Sequence, residues 1–255
     1  MAWLRTLAAV LPWYQQATEK RCCDRLWQAR GGRNPAQSER QQAGAGAAVD
    51  TVFHYPRGLL IQFAKAPVPG QVKSRMSPVL TDEQSAELHR ILVRHTLGKL
   101  ALARLAPVEL WISAPHPVFA ALAELAPSVT QVGADLGERM WHAFETALPR
   151  ARPVVLVGSD CPLFSARYLL QAFHLLLAPD VDAVLGPAED GGYVLLGLKR
   201  NHKQLFAGVD WGTARVLEQT RDRLRQLGWR WRELPALPDI DEPTDLELLR
   251  DLGLF

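Results

Sequence analysis

Five stretches of this sequence combine chemistry-bearing residues with abrupt ends of apolar or helical runs. The first is Gly158-Ser159-Asp160-Cys161-Pro162, directly after Pro153-Val154-Val155-Leu156-Val157. An acid held just past a buried strand suits Mg2+ or Mn2+, because such ions take one or two carboxylates and complete their shell with substrate phosphates. The same Asp160 could instead cap a turn before Pro162. Cys161 as a nucleophile needs a nearby base, and no sequence feature supplies one. It reads as a small buried residue.

The second stretch is AKAPVPGQVKSRM, residues 64–76. Gly70, two prolines and the cations Lys65, Lys73 and Arg75 make a loop suited to phosphate oxygens. The alternative is a solvated basic loop, since no Walker or dinucleotide glycine spacing is present. The third is GPAEDGGYVLLGL, residues 186–198. Asp190-Gly191-Gly192 is either a turn between strands or a place where Gly191 and Gly192 let backbone approach a ligand beside Asp190.

The fourth stretch is DWGTARV, residues 210–216. Thr213 reads as a helix N-cap. Trp211 either stacks on a base or sugar ring or plugs the core. The fifth is LPDIDEPTDLELL, residues 237–249. Asp239 and Asp241 either touch a metal or favour a helix N-terminus electrostatically, and Pro243 suits a first helical position. The seven histidines show no zinc spacing.

These stretches need elements to hold them. Apolar runs predict strands at Leu59–Ala64, Val108–Ile112, Val129–Val132, 153–157, 181–186, 193–198 and Trp229–Leu234. Thr81-Asp82-Glu83-Gln84 has the spacing of a capping box, and Leu88, Ile91, Leu92 and His95 mark one face of the long helix behind it. Residues 117–125 read as helical. Asp135 caps a helix with the stripe Leu136, Met140, Phe144 and Ala147. Further helices are expected from Ser165 to about Leu177, from Thr213 to near Gly228, and from Pro243. Strands alternating with helices predict an α/β fold, a mostly parallel sheet with helices on both faces. In such sheets, ligands bind beyond the carboxyl ends of the strands, where all five stretches are expected to lie.

Composition narrows the class. Hydrophobic residues make up 48% and charged residues 22%, which excludes a disordered or fibrous chain. A net charge of +2 does not advertise nucleic-acid binding. No apolar run approaches the ~20 residues of a membrane span. The cysteines Cys22, Cys23 and Cys161 lack a disulfide spacing, which fits a reducing compartment and a cytoplasmic protein. Residues 31–50, GGRNPAQSERQQAGAGAAVD, read as a flexible linker. Residues 1–55 are therefore expected to be an appendage and linker, with the compact domain over 56–255.

FAKAPVPGQVKSRMSPVLT, ADLGERM, VLVGSDCPLF, VLGPAEDGGYVLLGL, FAGVDWGTARVLEQT and PDIDEPTDL occur in this order between about residues 58 and 252. Together they resemble the radical-SAM/selenodomain-associated transferase 1 family, GT-A-like proteins of the arsenosugar-biosynthesis glycosyltransferase type. VKSRMSPVLT and the acid-plus-proline turn are also similar to 2-phospholactate guanylyltransferase and molybdenum-cofactor nucleotidylyltransferases. The resemblance implies a GT-A-like, nucleotide-diphospho-sugar transferase fold. It implies that Lys65, Lys73 and Arg75 face nucleotide phosphates, and that Asp160 binds the metal with Asp190 or Asp241 as a second acid. The glycine-rich LxAGGxSxRM signature of many nucleotidylyltransferases is not intact here, which favours sugar transfer. Lys73-Ser74-Arg75 replaces the family's usual Lys-Thr-Arg and keeps the hydroxyl.

The expectation is a metal-dependent glycosyltransferase moving a sugar from a nucleoside-diphosphate donor to a small-molecule acceptor. Asp160 and Asp241 hold Mg2+ or Mn2+, and Asp190 is the acid assigned to the acceptor side. Two alternatives stay open: a nucleotidylyltransferase joining an NTP to a phosphorylated small molecule, and a non-catalytic nucleotide-binding subunit.

Overall fold

The computed structural model describes residues 52–252 and Leu254. The appendage expected over residues 1–55 lies, except for its last four residues, outside the described residues. Residues 52–245 form one unit. A separate unit takes in residues 246–255, and its described element is the short helix α6, Leu246–Asp251.

The apolar run at residue 59, broken only by Gln62, becomes β1, Leu59–Ala64, with every residue buried. Such a run, rather than an alternating one, marks a strand covered on both faces. β1 pairs in parallel with β2, Val108–Ile112, and with β4, Val154–Val157. The other strands are β3, Ser128–Thr130; β5, Ala183–Pro187; β6, Tyr193–Leu198; and β7, Trp231–Glu233. The seven strands lie in the order β3-β2-β1-β4-β6-β5-β7. Only β6 is antiparallel to its neighbours. The carboxyl ends of the other six strands therefore share one edge, and the β5–β6 turn lies on that edge too.

Five helices cover the sheet: α1, Asp82–Ala103; α2, Pro117–Ala120; α3, Leu136–Ala147; α4, Ala166–Leu177; and α5, Val216–Gln226. Alternation along β1 divides the core between the two faces. Leu59, Ile61 and Phe63 join α3 (Met140, Phe144) and α5 (Leu217, Leu224). Leu60 joins α1 (Leu100) and α4 (Leu169, Phe173), while Ala64 meets Val93 and Leu97 of α1. None of the described helices is long and apolar enough to cross a membrane.

The capping box at Thr81 and Gln84 forms, with both reciprocal hydrogen bonds present. Asp135 and Ser165 also cap their helices as their spacing predicts. Four local expectations need correction. The helix expected over 117–125 stops at Ala120 and continues as turns, because its backbone tightens to three-residue hydrogen bonds, Leu122 N–H to the Phe119 carbonyl, Ala123 N–H to Ala120 and Leu125 N–H to Leu122. Thr213 is not an N-cap. Arg215 holds that position without a side-chain cap, and the Thr213 hydroxyl donates instead to the Asp210 carbonyl. Leu136 is 45% exposed, so the buried face of α3 runs through Gly137 and Met140 instead. Pro243 opens a 3-10 turn, Pro243–Asp245, rather than an α-helix.

Candidate functional site

The β1 loop, the β4 end and the acidic segment after β7 meet at the carboxyl edge through Lys73. Its backbone is left-handed, with φ 52° and ψ 37°, a conformation costing a non-glycine residue roughly 1–2 kcal/mol. The Lys73 side chain is only 4% exposed, and its Nζ lies 2.6 Å from Asp160 Oδ1. The same ammonium donates to the Ile240 carbonyl, and the Ile240 N–H donates to the Asp160 carbonyl. One buried cation thus ties three separate strand ends together.

Asp160 follows β4 after Gly158 and Ser159. Its Oδ1 is buried, yet the side chain as a whole is 45% exposed, so part of the carboxylate faces solvent. Burial pushes its carboxyl up. The Lys73 ammonium and the nearby His89 outweigh that and hold it well below the usual carboxylate range. His89 Nδ1 approaches Asp160 Oδ1 at 3.5 Å, and His89 Nε2 lies 3.2 Å from the Lys65 carbonyl.

A polar seam under the loop fixes its position. Gln62 of β1 donates to Ser159 Oγ at 2.9 Å and to the Val93 carbonyl at 3.0 Å. Ser159 Oγ donates in turn to the Phe63 carbonyl. From α1, Thr96 donates to the Ser159 carbonyl, and Lys99 donates to the carbonyls of Pro162 and Phe164. Sequence reasoning missed this seam. Its signal was present: Gln62 interrupts an apolar strand, and His89, Thr96 and Lys99 recur on one face of an apolar helix.

Arg75 makes a second ion pair, through Nη1 to Asp241 Oδ2, and its Nη2 reaches the Gly212 carbonyl at 3.4 Å. Asp241 and Glu242 both donate their backbone N–H groups to Asp245 Oδ2, which shapes the acidic turn. Asp239 stands between this turn and the DGG loop, because Leu237 pairs with Pro187 and Glu189. Burial first, and then the nearby Asp190 carboxylate, pushes the Asp239 carboxyl up to about 6.

The remaining expected residues are placed as follows. Lys65 and Gly70 are exposed on the β1 loop, Gly70 with φ 76°. Asp190 Oδ1 accepts the Gly192 N–H. Gly191 has φ 89°, and its carbonyl accepts the Leu217 N–H. A Cβ on Gly191 would lie 2.2 Å from the Ala214 carbonyl oxygen, so only glycine fits there. Trp211 is half-buried on the Gly137 backbone at the start of α3, with its ring edge toward Tyr193. It therefore packs against the core. Cys161 is buried, and burial pushes its thiol up to about 11, which disarms it as a nucleophile.

The donor set suits a hard divalent cation: the exposed part of Asp160 and the neighbouring carboxylates are oxygen ligands among which negative charge is crowded. Among the described residues, no three His, Cys, Asp or Glu side chains are grouped closely enough to hold a metal. An ion here would take its remaining ligands from phosphate and water. Lys73 and Arg75 pair with Asp160 and Asp241, so the same edge of the sheet offers cations to phosphates and carboxylates to a metal.

Residues 96–213 match a family model described as an uncharacterized protein conserved in bacteria (DUF2064). No curated protein matches the sequence. A solved structure from Desulfovibrio desulfuricans G20, provisionally named a nucleotide-diphospho-sugar transferase, is 33% identical with a TM-score of 0.68, over 78% of this chain and 88% of that one. CMP:2-keto-3-deoxy-manno-octonic acid synthetase, solved with CTP, is 13% identical with a TM-score of 0.52, over 78% and 98% of the two chains. 4-Diphosphocytidyl-2C-methyl-D-erythritol synthase is 12% identical with a TM-score of 0.52, over the same shares. At those identities the last two likenesses concern the fold alone.

Proposed function

This chain belongs to the family of the Desulfovibrio desulfuricans protein, and from that premise we propose that it is a metal-dependent transferase using a nucleoside-diphosphate sugar. The observation that carries the reading is the pair of ion contacts Lys73–Asp160 and Arg75–Asp241. They bring the cations suited to a diphosphate and the acids suited to its metal to one edge of the sheet. The narrower assignment to the radical-SAM-associated transferases rests on the six motifs quoted above.

In this reading the exposed edge of Asp160 holds Mg2+ or Mn2+, with Asp239 or Asp241 as a second acid. The metal, when bound, supplies Lewis-acid charge neutralisation on the leaving diphosphate. Lys73, Arg75 and the exposed Lys65 add donors aimed at developing negative charge. The seam of Gln62, Ser159, Thr96 and Lys99 holds the Asp160 loop still, so little reorganisation is needed during transfer. Asp190, assigned to the acceptor side, sits with one carboxylate oxygen committed to the Gly192 N–H. The other oxygen is left for an acceptor hydroxyl.

The test is product identity. The protein is incubated with Mn2+ and a panel of nucleotide sugars or NTPs, with small hydroxylated and phosphorylated acceptors. Release of a nucleoside diphosphate supports sugar transfer. Pyrophosphate release from an NTP would overturn it in favour of nucleotidyl transfer. Nucleotide binding without any turnover would favour a binding subunit.

A further inference from the structure

We propose that β3 is an interface strand, and that a second copy of this chain pairs with it antiparallel about a two-fold axis. The inference is independent of the reaction proposed above.

β3 ends the seven-stranded sheet on one side, and β7 ends it on the other. An end strand presents a row of unpaired N–H and C=O groups, a template for another chain, and proteins commonly guard it with charge. β7 is guarded. It carries Arg232 and Glu233, which pair with Asp180 and Arg221. β3 is not. Residues 125–134, LAPSVTQVGA, contain no charged side chain. Leu125, Val132 and Leu136, on the segments flanking β3, are large, apolar and exposed.

The open side of β3 is longer than its three residues. Leu110 N–H donates to the Pro127 carbonyl, and Gln131 N–H donates to the Ile112 carbonyl. Pairing with β2 therefore runs from Pro127 to Gln131 and uses the odd-numbered residues. Alternation along the strand turns the backbone N–H and C=O groups of Ser128, Thr130 and Val132 outward. All three residues are exposed.

These groups select the partner. The three outward residues are centred on Thr130, so an identical strand running the opposite way matches them. Thr130 meets Thr130 of the second copy, and Ser128 meets Val132. No charge lies within the paired span of either copy, so no cross-strand repulsion opposes their approach. A two-fold contact closes on itself, and the charged β7 stops further growth at the other end. The product is one continuous sheet of fourteen strands, seven from each copy. Because the two β3 strands run in opposite directions, the carboxyl edges of the two halves face opposite ways, and both candidate sites stay open.

The experiment is gel filtration with light scattering on the full chain over a dilution series. The wild type is expected to be a dimer that dissociates on dilution. Thr130→Pro removes an N–H that the single chain does not use, a change an edge strand tolerates. It deletes two symmetry-related hydrogen bonds, so the dissociation constant should rise about tenfold or more. Thr130→Lys sets two ammonium groups opposite each other at an exposed position and should weaken the dimer likewise. Leu177→Lys, exposed on α4, should leave the dimer unchanged. Circular dichroism checks that each variant is folded, and Thr130→Lys decides the matter if Thr130→Pro unfolds.

A wild type that is monomeric at every concentration overturns the inference and leaves the edge to solvent or to a different chain. A dimer that keeps its affinity in the folded Thr130 variants also overturns it, as does one lost in Leu177→Lys. Growth beyond two copies overturns it as well.

Discussion

Lys73 Nζ stands 2.6 Å from Asp160 Oδ1, so a residue of the β1 loop and a residue of the β4 loop, far apart in sequence, form a charged pair at the carboxyl edge of the sheet. Asp160→Asn removes the charge proposed to face the metal and strands a buried ammonium. Metal-dependent turnover should fall by about 10²–10³-fold, as when one electrostatic stabiliser is lost. Stability should drop by about 1–3 kcal/mol, less than for a wholly buried pair because Asp160 reaches solvent. Steady-state rates and urea melts measure the two effects, and an unaltered rate refutes the role given to Asp160.

Lys99 should act on the site at a distance. Its ammonium holds the Pro162 and Phe164 carbonyls and so fixes the loop that carries Asp160. Lys99→Met leaves those carbonyls without their donor. A stability loss of about 1–2 kcal/mol is expected, with a fall of about tenfold in kcat from a misplaced carboxylate. A change in stability with no change in kcat would show that the clamp is structural alone.

Cys161 should be silent. Its thiol is buried and pushed up to about 11 by that burial. Cys161→Ala should keep turnover within about twofold. The native protein and the variant should also give the same number of thiols fast enough to titrate with a disulfide reagent. Loss of turnover in Cys161→Ala would restore a chemical role to the thiol.

Gly191→Ala should damage the β5–β6 turn. The added methyl carbon would enter the Ala214 carbonyl at a φ of 89°. A loss of about 2–4 kcal/mol is expected from strain and overpacking together. Gly158→Ala is the control, since nothing lies within 4 Å of a Cβ there. Thermal melts of the two variants should separate clearly, and equal melting temperatures would contradict the turn geometry.

Asp239 predicts a pH dependence. Its folded-state carboxyl is pushed up to about 6 by burial and by Asp190, above the ordinary value of about 3.9 for an unfolded Asp. Between those values the folded state binds more protons, so this group makes stability fall as pH rises through that window. The effect is on the order of 1 kcal/mol once solvent screening is allowed for. Asp239→Asn should flatten that part of the stability profile measured by urea melts from pH 4 to 7. A profile identical to wild type would mean that the acids are farther apart than the structure places them.

Much of the fold was readable because it depends on local sequence. β4 is a continuous apolar run and β1 nearly so, as a doubly covered strand requires, and the spacing at Thr81 and Gln84 produced its capping box. The readings that failed did so where tertiary packing overrode a local cue. Thr213 has the chemistry of a cap, yet its hydroxyl is drawn to Asp210. Leu136 has the periodicity of the core but sits on the solvent side of the first turn of α3.

For the site, sequence alone determined the inventory: an acid after each of several strands, a cation-rich loop after β1, and glycines between β5 and β6. It could not determine the partnerships. Lys73 and Asp160 are joined because parallel pairing sets β1 beside β4, and that register is a long-range property. The seam from Gln62 to Lys99 exists only because α1 lies across those two strand ends. The acid crowding at Asp239 likewise arises where the chain returns beside the β5 end. Pairing charges takes distances of a few ångströms between residues far apart in the chain, and only the packed sheet supplies them.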